Sequence, residues 1–199
     1  GGQWLVRIED IDPPRTEPGA SNDILQTLNQ HGLLHDGTVL FQSQRSEIYE
    51  SALQQLLTQD LIYPCRCSRA QLLEHARLHH YPTSRSLCTG TCDVRGATLT
   101  SADTAWRLRT EMAGEIQFQD LLRGTLTSSL HQEVGDFVLK RRDGLYAYQL
   151  AVVLDDEASH VTEVVRGVDL LDNTARQCWL MQCLNFARPS YLHLPLVTA

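Results

Sequence analysis

The stretch Trp4-Leu-Val-Arg-Ile-Glu-Asp-Ile-Asp-Pro-Pro-Arg15 decides how the chain is read. Trp4, Leu5, Val6 and Ile8 form an apolar, β-prone run that ends in Glu9, Asp10 and Asp12, and Pro13-Pro14 then forbids further ladder pairing. The pattern predicts a short buried strand whose carboxyl end carries acid. In open parallel sheets ligands collect outside the carboxyl ends of strands, so this is the layout of an α/β ligand site. The same residues also describe a strand followed by a solvated acidic turn, since surface turns are commonly acidic. The rest of the chain has to decide between the two.

The chain has 199 residues, 42% hydrophobic and 21% charged, which suits one globular domain or a domain with an insertion. A net charge of -7 does not advertise nucleic acid, although a local basic face can coexist with an acidic whole. No run is long and apolar enough to span a membrane, and no charged-then-apolar leader opens the sequence. A cytoplasmic protein without membrane partners is expected. The chain starts Gly1-Gly2 and ends in the apolar Leu194-Pro-Leu-Val-Thr-Ala199, where natural termini are usually polar, so a segment of a longer protein is expected.

Downstream of the double proline, Ser21 or Asn22 can cap a helix carrying Ile24, Leu25 and Leu28, with Gly32 as its stop. Val39 to Phe41 reads as a short strand, and Ser46 to Leu61 as a second helix with Ile48, Leu53, Leu56 and Leu57 inward. Ser68 and Gln71 have capping-box spacing at the start of a helix that runs to about Leu78. The chain is then irregular to Gly96. Trp106 to Arg109 alternates as a strand, Phe118 to Leu126 is mixed around Gly124, and Asp143-Gly144 signals a tight turn. Leu150 to Leu154 predicts a buried strand ending in the paired carboxylates Asp155 and Asp156, and Val161 to Val165 another ending at Arg166-Gly167. Thr174 to Leu184 predicts a helix. Strands alternating with helices argue for an α/β fold with a mainly parallel sheet.

Six cysteines are present, and four are paired by spacing: Cys65-x-Cys67, then Cys88-x3-Cys92. In an intracellular protein this favours Zn2+ over disulfides, and four thiolates complete a closed, structural tetrahedron with no vacant position for a catalytic water. The other reading is four ordinary thiols in a flexible insertion. His75, His79 and His80 lie close enough in sequence to substitute, but with four cysteines available they are read as surface residues. Cys178 and Cys183 fall on an apolar helix and are read as core thiols.

Several segments, taken in order, resemble the catalytic core of class I glutamyl-tRNA synthetases. They are Val6-Arg-Ile-Glu-Asp-Ile-Asp-Pro-Pro-Arg15, His31-Gly-Leu33, Gln42-Ser-Gln-Arg45, the Cys65-x-Cys67 hook, Arg141-Arg-Asp-Gly-Leu-Tyr-Ala-Tyr-Gln-Leu-Ala-Val-Val-Leu-Asp-Asp156, Val161 to Leu170 and His193-Leu-Pro195. Asp12-Pro-Pro and the Arg-Arg-Asp-Gly-Leu-x-Ala-Tyr block are most similar to the truncated paralogues within that family. The resemblance implies a Rossmann-like class I catalytic core with a zinc-binding insertion, divided as 1–62, 63–115 and 116–199. It also implies activation of L-glutamate with ATP and Mg2+ to glutamyl-adenylate. In the truncated branch it implies transfer of glutamate to queuosine at the wobble position of tRNA(Asp), by a monomer.

By the same resemblance Glu9, Tyr148 and Arg166 are substrate-binding residues for L-glutamate, and Cys65, Cys67, Cys88 and Cys92 hold one structural Zn2+. Cys88 stands where the family often has a tyrosine ligand, with Tyr81 the weaker substitute. The chemistry agrees: an ammonium needs an acceptor such as Glu9 or the Tyr148 hydroxyl, and a γ-carboxylate needs a planar donor, Arg166. For Tyr148 the competing role is a core tyrosine. For Arg166 it is an ion pair with Asp155, Asp156 or Asp169. Asp10 and Asp12 are assigned to no substrate group, and the solvated acidic turn remains their competing reading. The family's phosphate-binding motif is expected before residue 1 and its lysine loop after residue 199. No general base can be named, and without those motifs the activity of this segment alone is in doubt. Two alternatives remain: the core of a synthetase charging tRNA(Glu), and a zinc-stabilised RNA-binding module without catalysis.

Overall fold

The structure is a computed structural model that describes residues 2–82, 85–90, 94 and 96–197. These residues fall into two compact units that divide between Ile48 and Tyr49. In the first unit, β1 (Arg7–Ile8) is followed by a 3-10 turn at Pro13–Arg15 and by α1 (Ala20–Gln30), and β2 (Leu40–Phe41) pairs with β1 in parallel. The expected buried strand from Trp4 is therefore shorter and more exposed. Trp4 and Leu5 are exposed, and the Trp4 backbone is tied to Asp36 instead: Trp4 N–H donates to the Asp36 carboxylate at 2.7 Å and Asp36 N–H to the Trp4 carbonyl at 2.7 Å. A two-stranded ladder has too little area to bury both faces of the run.

Helix α1 begins at Gly19 rather than at a Ser21 or Asn22 cap. It stops as expected: Gly32 has φ +73°, its N–H reaches the Asn29 carbonyl, and Leu33 N–H reaches Leu28, which is Schellman geometry.

Helix α2 (Ser46–Thr58) leads into β3 (Ile62–Cys65), α3 (Arg69–Leu78) and β4 (Ala105–Leu108). After these come the hairpin β5 (Ile116–Asp120) and β6 (Gly124–Ser128), the short α4 (Leu130–Glu133) and β7 (Phe137–Lys140). The second unit closes with α5 (Tyr148–Ala158), β8 (Glu163–Gly167), α6 (Leu171–Leu184) and β9 (Ser190–Leu194). Helix α3 carries the expected capping box in full, with Ser68 Oγ accepting from Gln71 N–H at 3.2 Å and Gln71 Oε1 from Ser68 N–H at 2.8 Å.

Two sheets organise this second unit. The first has strand order β3-β4-β7, all antiparallel; Pro64 sits in β3, an edge strand of that sheet, where a missing N–H is tolerated. The second has order β6-β5-β9-β8, antiparallel between β6 and β5 and parallel at β5/β9 and β8/β9. One sheet is thus antiparallel and the other mixed, rather than mainly parallel; in the second, the β5–β6 turn at Gly124 is a hairpin, and a hairpin can only pair its arms antiparallel. Leu53, Leu56, Ile62, Trp106, Leu108, Ile116, Leu139, Leu150 and Leu180 are fully buried side chains of this unit.

One element departs from the sequence reading in kind. Leu150 to Leu154 is helical, not a strand, and every residue from Leu150 to Asp155 in α5 is buried. A helix buried on all sides loses its polar stripe, and a continuous apolar run then looks the same as a buried strand. Asp155 and Asp156 are consequently not strand-end carboxylates. Asp155 is buried and accepts a hydrogen bond from the Tyr49 hydroxyl at 2.8 Å. Leu150→Ala should cost about 2–5 kcal/mol of unfolding free energy by urea titration, as for a fully buried leucine. A loss below about 1 kcal/mol would place Leu150 on a solvated face instead.

Candidate functional site

Arg166 lies near the carboxyl end of β8, opposite His193 of β9 in the parallel register. Its guanidinium is held from one side. Nε–H donates to His193 Nε2 at 3.1 Å and Nη2 donates to Thr174 Oγ1 at 2.8 Å, while the Tyr191 ring centre lies 5.8 Å from Cζ. Thr174 is in the first turn of α6 and is buried, as is His193.

No carboxylate among the described residues pairs with Arg166. The competing role, an ion pair with Asp155, Asp156 or Asp169, is not what the structure contains. A guanidinium has five N–H groups in a planar fork. His193 and Thr174 occupy the Nε/Nη2 edge, which leaves Nη1 and the remaining Nη2 hydrogen as an open, end-on pair of donors.

Behind His193 stands Asp120, the last residue of β5, fully buried. Its Oδ2 accepts from His193 Nδ1 at 2.6 Å and from His193 N–H at 3.0 Å. Its Oδ1 accepts from the N–H groups of Leu122 and Arg123 at 3.0 and 2.9 Å. Burial pushes the Asp120 carboxyl up, but these four donors outweigh it and hold it below the usual carboxylate range. Asp120 was not singled out from sequence, because nothing local pairs it with a histidine 73 positions later.

Tyr148 is the first residue of α5, not the end of a strand. It is half-buried, and its hydroxyl makes no hydrogen bond among the described residues. Its neighbour Gln149 donates from Nε2 to Asn173 Oδ1 at 2.5 Å. The first turn of α6 thus touches both places at once, through Asn173 to Gln149 and through Thr174 to Arg166. The structure therefore brings Tyr148 and Arg166 to the same end of the second unit.

Glu9 lies in the first unit, just beyond β1. It is exposed and paired with Arg7 at 3.0 Å, an ion pair of the weak surface kind. Asp10 is structural: its two oxygens take the Ser43 N–H at 2.9 Å and the Ser43 hydroxyl at 2.6 Å. Asp12 pairs with Arg15 at the 3-10 turn.

A second cluster forms around the first cysteine hook. The sulfurs of Cys65, Cys67 and Cys88 all lie within 4.8 Å of one another, with Cys67 to Cys88 at 3.6 Å. Sulfurs about 2.3 Å from a tetrahedral zinc stand roughly 3.8 Å apart, so the three positions fit such an ion. Cys92, the fourth expected ligand, lies outside the described residues.

The fold delivers Cys88 by anchoring the segment before it. Ser86 N–H donates to the Val134 carbonyl at 2.7 Å, and Arg107 Nη2 donates to the Ser86 carbonyl at 3.2 Å and the Asp136 carbonyl at 2.7 Å. Gly135 is required there, since its φ is +70° and a Cβ would sit 2.8 Å from the Ser86 carbonyl oxygen.

Burial pushes the Cys65 thiol up. At Cys67 burial acts the same way, but hydrogen bonds from Thr89 and the neighbouring cysteines prevail and lower it to about 7. His75, His79 and Tyr81 cluster together, with the tilted histidine ring centres 4.4 Å apart and Tyr81 stacked on His79 at 5.6 Å. None of them belongs to the sulfur cluster among the described residues. Cys178 and Cys183 are buried thiols of α6, and burial raises Cys183 to about 12.

The sequence model of the family described as tRNA synthetases class I (E and Q), catalytic domain, matches residues 1–199. The chain belongs to this family. It is 50% identical over 197 residues to the glutamyl-Q tRNA(Asp) synthetase of Xanthomonas campestris pv. campestris (strain 8004), covering 99% of this chain and 62% of that protein. It is 48% identical over 198 residues to the glutamyl-Q tRNA(Asp) synthetase of Thiobacillus denitrificans, covering 100% of this chain and 64% of the relative. The chain thus spans less than two thirds of the length of these curated relatives.

Among solved structures, a glutamate tRNA ligase from Elizabethkingia meningosepticum in complex with its amino acid superposes with a TM-score of 0.81 at 23% identity. That match covers 99% of this chain and 43% of the ligase. The glutamate-tRNA synthetase of Elizabethkingia anophelis gives 0.82 at 23% identity, covering 100% and 44%. At that identity the likeness establishes the fold: a mixed α/β class I synthetase catalytic domain. No helix among the described residues is long and apolar enough to cross a membrane.

For a class I synthetase domain with this cysteine geometry, metal analysis of protein purified without added metal should find about one zinc per chain, and Cys67→Ser should lower that content. Metal-free protein whose melting temperature is indifferent to a chelator would remove zinc from the account.

Proposed function

We propose that this chain is the amino-acid-binding part of an enzyme that activates L-glutamate with ATP and Mg2+ and passes it to queuosine at the wobble position of tRNA(Asp). The observation that carries the reading is Arg166. Its end-on donor edge has no partner among the described residues, and it stands at the same end of the unit as the unpartnered Tyr148 hydroxyl. A planar pair of N–H donors matches a carboxylate in two parallel charge-assisted hydrogen bonds. The γ-carboxylate of glutamate supplies the missing negative charge. The neutral amide of glutamine would leave the guanidinium uncompensated, which gives the discrimination its physical basis.

Tyr148 offers its hydroxyl to the substrate ammonium. Glu9 keeps the ammonium-binding role that the family resemblance gives it, on sequence alone. The α-carboxylate of glutamate then attacks the α-phosphorus of ATP in line. A P–O bond forms as the bond to the leaving pyrophosphate breaks, and glutamyl-adenylate results. Transfer of the glutamyl group to the tRNA releases AMP.

Cys65, Cys67, Cys88 and Cys92 would hold a structural zinc that cross-links an insertion spanning about 63–115 between two parts of a Rossmann-like domain, 1–62 and 116–199. The queuosine-directed reading is preferred over tRNA(Glu) charging because the curated relatives at 48–50% identity carry the former name.

In the full-length protein, Arg166→Ala should reduce glutamate-dependent ATP–pyrophosphate exchange about 100-fold or more at subsaturating glutamate, the equivalent of two charge-assisted hydrogen bonds. Near-normal exchange would remove Arg166 from the substrate site. Glutamylation of queuosine-bearing tRNA(Asp) but not of tRNA(Glu) is the expected specificity, and the reverse would select the charging synthetase.

A further inference from the structure

We propose that Asp120 and His193 form a positioning relay that fixes the tautomer of His193 and thereby aims Arg166 at the substrate carboxylate. This deepens the reading of Arg166 above and rests on it.

The relay crosses three neighbouring strands of one sheet, from β5 through β9 to β8. Asp120 is saturated by four donors and is held in its ionised form. An ionised carboxylate 2.6 Å from Nδ1 requires a proton on that nitrogen. A neutral imidazole protonated at Nδ1 has its lone pair on Nε2. Arg166 Nε–H donates into it at 3.1 Å, and the Thr174 oxygen lies 3.2 Å from the same nitrogen. With a proton on Nε2, N–H would face N–H and the Arg166 contact would be lost. The carboxylate therefore decides which nitrogen faces the arginine, as it does where a buried aspartate orients a catalytic histidine or a histidine metal ligand.

The consequence is directional. His193 and Thr174 hold the Nε/Nη2 edge, so rotation of the guanidinium is restrained and its Nη1/Nη2 edge is left for a ligand. A fixed fork is pre-organised, and less freedom is lost when a carboxylate docks. The arginine also keeps its full charge for the ligand, because its protein partners are a neutral imidazole and a hydroxyl. An aspartate in direct contact with Arg166 would hold the side chain as well but would cancel that charge. Placing the acid one residue removed, behind His193, gives orientation without neutralisation.

The test uses the full-length enzyme and reads KM for glutamate, KM for ATP and kcat in ATP–pyrophosphate exchange, with 15N NMR of the imidazole of His193. His193→Leu and Asp120→Asn should raise KM for glutamate about 10- to 100-fold, as for loss of a hydrogen bond to a charged group, with KM for ATP within about twofold. His193→Gln, which returns an acceptor to the place of Nε2, should recover most of the loss. The wild-type imidazole should be protonated at Nδ1 and bare at Nε2.

If Arg166→Ala raises KM for glutamate but His193→Leu does not, the relay is wrong and the reading of Arg166 stands. If Arg166→Ala itself leaves KM for glutamate unchanged, the underlying reading fails and the relay with it. Should His193→Leu or Asp120→Asn not fold, the tautomer and the His193→Gln variant decide. A proton on Nε2 at neutral pH, or a His193→Gln enzyme no better than an arginine deletion, overturns the proposal.

Discussion

A guanidinium cannot discard its charge, and Arg166 is held half-buried by the His193 imidazole and the Thr174 hydroxyl, near the Tyr191 ring, with no carboxylate paired to it among the described residues. That imbalance is the constraint on which the second unit's site depends. The parallel register of β8 and β9 sets Arg166 opposite His193, and β5 brings Asp120 in from the next strand. A slip of one residue in either ladder would turn His193 to the opposite face and undo the arrangement. The α6 start contributes Thr174 and, through Asn173, steadies the beginning of α5 where Tyr148 projects. Strand order, register and helix entry all converge on a guanidinium that has no carboxylate partner among the described residues.

Much of this was legible from residue pattern. The β4 strand, the Asp143-Gly144 turn, the α3 capping box, the α6 helix and the first cysteine hook follow local rules, and each is present where those rules place it. The failures are also physical. Leu150 to Leu154 has no polar face because the helix that contains it is buried all round, so period could not separate helix from strand. As a result, Tyr148 marks the start of a helix rather than the end of a strand. Trp4 and Leu5 were read as buried from their apolarity alone, but burial depends on what covers them, and exposed apolar residues are common. Asp120 and His193 were invisible as a pair. A single buried histidine in an alternating strand is an ordinary core residue until the strand order is known.

The cysteine corner shows the opposite balance. Spacing singled out these cysteines as candidate ligands, and the fold explains how Cys88 meets a hook more than twenty residues before it. One hook continues from the end of β3, and Cys88 is brought in by the Ser86–Gly135 bridge and the Arg107 contacts. The three thiols lie together without a disulfide; burial raises the Cys65 thiol, whereas at Cys67 hydrogen bonds from Thr89 and the neighbouring cysteines outweigh burial. The cysteine corner and the Arg166 end are separate in the fold: the first ties down an irregular segment that has few regular ladders, and the second presents the guanidinium for which a carboxylate is proposed.

The most direct measurement is a crystal structure of the full-length protein with L-glutamate bound. The γ-carboxylate should lie on the Nη1/Nη2 edge of Arg166, with Nε still donating to His193 and Asp120 unmoved. A glutamate whose carboxylate lies elsewhere, with Arg166 turned to solvent or paired to an acidic side chain of the protein, would contradict that arrangement.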